Sequence, residues 1–304
     1  RAFTSIIKEN KVKPIAKQSN EKTAFTIVEL LTVMSIIIIL MGLLAPAMNR
    51  ARRYARKVSQ KNQFHSIDVA LEMFRAEFDG YPDSGAADAS GAPYCGAMKL
   101  AEAMLGQDLL GFHPDSRFRA DGTIDGTAAT QLYPPAPPSP FPPLYIDNLK
   151  TRKEHYLPLE NANAYELNNI YPNIATTPPN FNGDRFVLCD AYTRVMNLNT
   201  GKRIGMPILY YKANTSNTMH DHTLTPLSQN IYNYMDNDQL VGVGKPWDPT
   251  TPHTLSGDAQ RFYDSTRNQK IKALRPYRVD SYILISAGFD GEYGTPDDVF
   301  NFGE

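Results

Sequence analysis

Near its C-terminus the chain reads SAGFDGEYGTPDD over residues 286–298. Asp290, Asp297 and Asp298 bring three carboxylates to this short stretch, and its glycines let the backbone turn around one point. Hard oxygen ligands on a tightly turning chain suit a calcium ion, while an acidic surface turn draws on the same residue types. A second misplaced charge is Glu29, at the head of the apolar run LLTVMSIIIILMGLLAPAMN, residues 30–49, which carries no charged side chain over twenty positions. A carboxylate entering hydrocarbon needs a partner or an interfacial position. Pro46 sits inside the same run, where it must remove one backbone hydrogen bond of a helix.

The remaining reactive residue types are sparse. Cys95 and Cys189 are too few for a disulfide-rich scaffold or a four-cysteine zinc site. They form one disulfide in an oxidising exterior or lie apart as two buried thiols, since sequence gives no distance between them. His220, Asp221 and His222 offer two imidazoles around a carboxylate but no closed ligand set, and read as a solvated turn. No G-x-S-x-G, H-E-x-x-H, Walker A or C-x-x-C-H run stands in the chain, so the expectation is a protein that is not an enzyme.

These residues need elements to hold them. As a helix, residues 30–49 would be about 30 Å long, the thickness of a bilayer's hydrocarbon. The run is apolar on every face, which places it in lipid or buried in protein. No second such run follows, so one membrane passage is expected, and a buried core helix is the weaker alternative. Farther on, Phe64, Ile67, Leu71, Phe74 and Phe78 recur at helical spacing and form one core stripe. Residues 79–82, DGYP, then stop the helix, with Gly80 as its cap and Pro82 beyond. Residues 98–110 predict a short helix, and residues 133–143, YPPAPPSPFPP, predict an extended Pro-rich surface loop. Strand signals stand at residues 185–189, 207–211 and 281–285, and predict one antiparallel sheet lying on the Phe64 stripe. The mostly polar stretch between them, residues 214–279, predicts a long surface excursion. With 304 residues, a net charge of −1, 42% hydrophobic and 21% charged residues, the chain is no disordered, polytopic or strongly basic nucleic-acid-binding protein.

Residues 24–31, AFTIVELL, resemble the processing site of type IV pilins and type II secretion pseudopilins. In that family a prepilin peptidase removes a short basic leader and the first mature residue, a Phe, is methylated. The resemblance implies a cut between Ala24 and Phe25, which makes Glu29 the fifth mature residue and Pro46 the twenty-second. Both then match the family's characteristic glutamate and helix-bending proline. Residues 1–24 carry six basic and two acidic side chains, a net of +4, which suits a cytoplasmic leader. Another six basic residues, from Arg50 to Lys61, follow the apolar run, so charge alone does not set the orientation. The resemblance also implies that Glu29 pairs with the amine of a neighbouring Phe25 and fixes axial register, and that residues 42–50 extend or kink in an assembled form. Residues 286–298 resemble the calcium loop that closes the head of major pseudopilins. That implies Asp290, Asp297 and Asp298 as side-chain ligands of Ca2+, with backbone carbonyls completing the shell.

The expected fold is α+β and pilin-like, a long N-terminal helix packed on a small antiparallel head with long irregular insertions. Its segments are a leader over 1–24, a helix over 25–79 with its hydrophobic stem at 25–49, a variable Pro-rich region over 80–184, and a sheet head over 185–304. The resemblance implies a filament subunit polymerising through its N-terminal helices, with prepilin peptidase and an inner-membrane assembly machinery as partners and no nucleic acid. It would reside in the inner membrane as a precursor and then in an extracellular filament. One alternative is the major pseudopilin of a type II secretion system, in the periplasm. Another is a surface domain on a single-span anchor that binds a ligand. Ala45, Pro46 and Ala47 also read as a signal-peptidase site, which would release a soluble protein.

Overall fold

The computed structural model describes residues 26–172, 174–176, 178–271 and 275–303. Inter-residue contacts divide the chain into two units, one ending at Ala51 and the other running from Arg52 onward. Helix α1, Ile27–Phe78, contributes to both. In the first unit it is helical through Gly42 and Pro46, and every described residue from 26 to 50 is exposed. Among the described residues this is the one helix long and apolar enough to cross a membrane: its best 18-residue window has a mean hydropathy of 2.7 with 0% of it buried. The bend expected over residues 42–50 concerned an assembled form; the single chain is helical there.

The second unit begins on α1 and continues through α2 (Gly96–Leu105), α3 (Pro143–Thr151), α4 (Leu159–Ala162), β1 (Ala164–Glu166), β2 (Phe186–Leu188), β3 (Val195–Met196), β4 (Arg203–Ile204), β5 (Leu209–Lys212), α5 (Met235–Gly242), α6 (Ala259–Thr266), β6 (Tyr282–Ser286) and β7 (Val299–Phe300). The chain is thus α+β, as its patterns indicated. The stripe on α1 is a core stripe: Phe64, Ile67, Leu71 and Phe74 are all buried. Each such side chain stabilises by about 1.5–3 kcal/mol when taken out of water. Asp79, not Gly80, takes the left-handed conformation that ends α1, at φ +54°.

The central sheet is three antiparallel strands in the order β5-β6-β7, with Tyr210 opposite Leu284 and Ser286 opposite Val299. The expected third partner, β2, pairs along its length with β1 in a separate two-stranded sheet. It meets the segment 207–211 only at its end, where Cys189 bridges Pro207 and the Ile208 amide donates to the Leu188 carbonyl at 2.7 Å. Strand residues alternate between faces. On one face Tyr210, Tyr282, Leu284 and Val299 pack with the α1 stripe and with Leu100 and Met104 of α2. On the other, Leu209, Tyr211, Ile283 and Ile285 pack with Leu240 and Val241 of α5 and Phe262 and Tyr263 of α6. The sheet is therefore covered on both sides, which is why residues 282–285 read as an unbroken apolar run rather than an alternation. The expected surface excursion over 214–279 supplies that second cover. The region read as irregular, 80–184, contributes α2, all ten of whose residues are buried. Both cores draw on residues before and after position 184.

Tyrosine hydroxyls tie loops into this interior. Tyr210 donates to the carbonyl of Pro82 at 2.8 Å, Tyr234 to that of Leu255 at 2.8 Å and Tyr263 to that of Tyr232 at 3.0 Å. Tyr293 and Tyr232 donate to the carbonyls of Pro207 and Arg278. Asp68 of α1 gathers Tyr282 Oη at 2.6 Å, Arg278 Nη1 at 3.2 Å and Asn301 Nδ2 at 3.2 Å.

Candidate functional site

At the start of α1, Thr26 and Glu29 form a reciprocal cap. The Thr26 amide and hydroxyl donate to Glu29 Oε2 at 2.9 and 2.8 Å, and the Glu29 amide donates to Thr26 Oγ1 at 3.2 Å. This is the spacing of a capping box, with a hydroxyl residue before the helix and a carboxylate three positions on. Glu29 thus has a local role independent of any neighbouring chain. Ala24 and Phe25, the residues of the expected cut, lie outside the described residues, as does the leader over 1–24.

The acidic loop lies between β6 and β7 in the second unit. Gly288 permits its entry turn at φ +68°, where an added Cβ would stand 2.2 Å from the Asp297 carbonyl. Asp297 Oδ2 accepts from the amides of Phe289 and Asp290 at 2.8 and 3.0 Å, and its Oδ1 from Thr295 Oγ1 at 2.6 Å. Asp290 Oδ1 accepts from the Glu292 amide at 2.8 Å, and Asp298 Oδ2 from the Gly294 amide at 2.8 Å. Asp298 Oδ1 is buried with no hydrogen-bond partner.

These carboxyls titrate apart. Burial raises Asp290, helped by its contact with Asp297. Burial also pushes on Asp297, but the Thr295 hydroxyl and the two backbone amides outweigh it and leave that group lowered. Asp298 is raised well above the usual carboxylate range, again chiefly by burial. The expected calcium ligands therefore share one loop, yet they stand as a hydrogen-bonded pair plus a third group turned to Gly294. Among the described residues no three His, Cys, Asp or Glu side chains are grouped as a metal ion requires. Two abutting carboxyls and one orphaned oxygen match the chemistry of a cation site; its ligand shell is not assembled in this arrangement.

Cys95 and Cys189 are both buried free thiols rather than a disulfide. Burial raises the Cys95 thiol to about 11 and pushes Cys189 up as well, so neither is a ready nucleophile. His220 is buried, not solvated. Its Nε2 lies 3.1 Å from the Tyr263 carbonyl and 3.0 Å from Thr266 Oγ1, and burial lowers the group to about 4.

Sequence reasoning missed several polar anchors. On α1, Arg56 Nη1 donates to the Tyr192 carbonyl at 2.8 Å and Gln63 Nε2 to that of Cys189 at 2.8 Å, while Gln60 Oε1 accepts from the Ala191 amide at 2.7 Å. Residues 56, 60, 63 and 67 share helical spacing, so these side chains continue the apolar stripe in polar form. Also missed was a cavity of about 430 Å³ walled by Asp83, Ser84, Lys212 and Asp236 among others. There Ser84 Oγ donates to buried Asp236 and accepts from the Lys212 amide at 3.0 Å, and Asp83 pairs with buried Lys99. Lys99, one of two charges in the otherwise apolar helix α2, was the available signal. Comparison with known proteins finds no matching family model, no matching curated protein and no matching solved structure.

Proposed function

We propose that this chain is a non-enzymatic, type IV pilin-like subunit that polymerises through its N-terminal helix into an extracellular filament. The observation that carries this reading is the fully exposed apolar half of α1, on which Ile27, Ile38 and Leu43 are 78%, 69% and 70% accessible. A patch of that size and apolarity does not stay in water. Lipid accommodates it before assembly, and equivalent helices of other copies accommodate it afterwards. The sequence around Ala24 and Phe25 supplies the prepilin peptidase site that would prepare it, and Glu29 supplies a carboxylate for a neighbour's Phe25 amine. Electron microscopy of sheared, detergent-free material tests the proposal. Ordered filaments of this chain support it. Persistent monomers overturn it in favour of a singly anchored surface domain.

A calcium-dependent variant of this reading, closer to a type II secretion pseudopilin, is favoured by the orphaned Asp298 Oδ1 and the abutting pair Asp290 and Asp297. A cation there would offset the charge repulsion between Asp290 and Asp297. Calorimetric titration of the head with Ca2+ tests it, and no heat and no thermal shift would set it aside.

A further inference from the structure

Residues 52–61, RRYARKVSQK, carry Arg52, Arg53, Arg56, Lys57 and Lys61, and the chain has no Asp or Glu between Glu29 and Asp68. All five are exposed. Several cations elsewhere in the chain are paired: Lys99 with Asp83, Arg152 with Asp108, Lys245 with Glu292 and Arg278 with Asp68. Among the described residues none of the five forms an ion pair. Arg52 and Arg56, Arg53 and Lys57, and Lys57 and Lys61 each stand four residues apart on α1. Like charges at that spacing repel one another on a helix surface. The fold therefore keeps a local repulsion that an anion would relieve.

Part of the array is held in place. The Arg53 guanidinium lies 4.3 Å from the centroid of the Phe289 ring and that of Arg56 lies 5.9 Å from it. Arg53 and Lys57 line a surface cavity of about 780 Å³ together with Tyr192, Arg194, Asp290 and Asp297 among others. Connectivity supplies the partner. Arg52 follows the last residue of the apolar run by three positions, at most about 11 Å of chain however it is bent. A headgroup layer is roughly 5–7 Å deep on each side of the hydrocarbon, and long basic side chains reach back into it.

We propose that Arg52, Arg53, Arg56, Lys57 and Lys61 form a phosphate-binding collar that docks on the anionic phospholipids of the leaflet from which residues 30–49 emerge. This rests on the reading that those residues sit in a bilayer before assembly. The collar holds the precursor at the membrane surface, and entry into a filament exchanges lipid phosphates for contacts with other copies.

The test uses the full chain in two arms. In the first, it is reconstituted into phosphatidylcholine vesicles and washed with alkaline carbonate. Retention supports the bilayer reading, and release overturns that reading and the collar with it. In the second, the chain in a neutral detergent is titrated with phosphatidylglycerol or phosphatidylcholine and bound lipid is counted by native mass spectrometry. The variant Arg52→Gln/Lys57→Gln/Lys61→Gln spares the residues that touch Phe289 and Tyr192. At about fivefold per basic residue, it should bind phosphatidylglycerol roughly a hundredfold more weakly, with phosphatidylcholine binding and head melting temperature unchanged. Carbonate-resistant protein that binds both lipids equally, or a variant that binds phosphatidylglycerol as the parent does, overturns the collar alone. Tighter binding to an oligonucleotide or to inorganic polyphosphate than to phosphatidylglycerol overturns the choice of a lipid.

Discussion

Glu29 has two candidate roles, and two substitutions tell them apart. In the single chain its carboxylate closes a capping box through bonds of 2.9 and 2.8 Å from Thr26. Glutamine serves at that position of the box as well as glutamate, because its carbonyl oxygen accepts the same donors. Alanine removes the acceptor, and losing a cap of this kind weakens the helix start by about two- to thirtyfold in its local equilibrium. In a filament, the carboxylate would face the amine of a neighbouring Phe25. Neutralising one partner of a water-excluded pair strands the other charge, and the loss should raise the critical concentration for assembly by about 10²- to 10³-fold. The register role therefore predicts that Glu29→Gln is nearly as defective as Glu29→Ala. A role in capping alone predicts that Glu29→Gln assembles normally and that only Glu29→Ala is impaired. The assay is the yield of sheared filaments against total protein, with head melting temperature as the control for folding. Wild-type filament yield from Glu29→Gln would refute the charge-pairing argument and leave Glu29 as a helix cap.

Leu71→Ala, at a fully buried position where α1 meets the sheet, should destabilise the head by about 2–5 kcal/mol in urea unfolding. Burial raises Asp190 and Asp236 to about 7, above their unfolded values, so both fold preferentially as protonated acids. Their contribution is therefore complete below about pH 4 and declines as pH rises toward 7; denaturation midpoints at pH 5 and 7.5 should show this, with a flatter dependence in Asp190→Asn. If the acidic loop takes Ca2+, the ion should raise the head's melting temperature and a chelator should reverse the gain, and Asp297→Asn should abolish the response. Asp79→Gly should stabilise the head by about 0.5–1 kcal/mol, because glycine accepts φ +54° without a Cβ penalty.

The long helix was legible because its signals are local: an uncharged twenty-residue run, then a stripe at spacings of three and four. The strand segments were legible for the same reason, but their partners were not. Whether Val187 bonds to Tyr165 or to a residue of β5 depends on chain paths hundreds of atoms apart, and β1, at three residues, carries no pattern of its own. The second cover of the sheet was hidden because α5 and α6 are short and set among polar loops, with Leu240, Val241 and Phe262 as isolated anchors. At the acidic loop, residue types and glycines showed in the sequence. The division into a pair and a separate Asp298 depends on which backbone amides the turn presents, and spacing does not encode that. The capping box is the opposite case, since Thr26 and Glu29 stand in plain view and a capping role asks for nothing beyond their separation.

The phenolic tethers give the head an unusual kind of economy. Five loop carbonyls, from Pro82 to Arg278, are latched from inside by aromatic rings that also fill space. Shaving a single oxygen, as in Tyr210→Phe or Tyr263→Phe, would unlatch one loop at a time while leaving the packing volume in place. The long connections of this molecule are thus better pictured as bolted plates than as trailing ribbon, and digestive enzymes should find them hard to cut until a latch is opened.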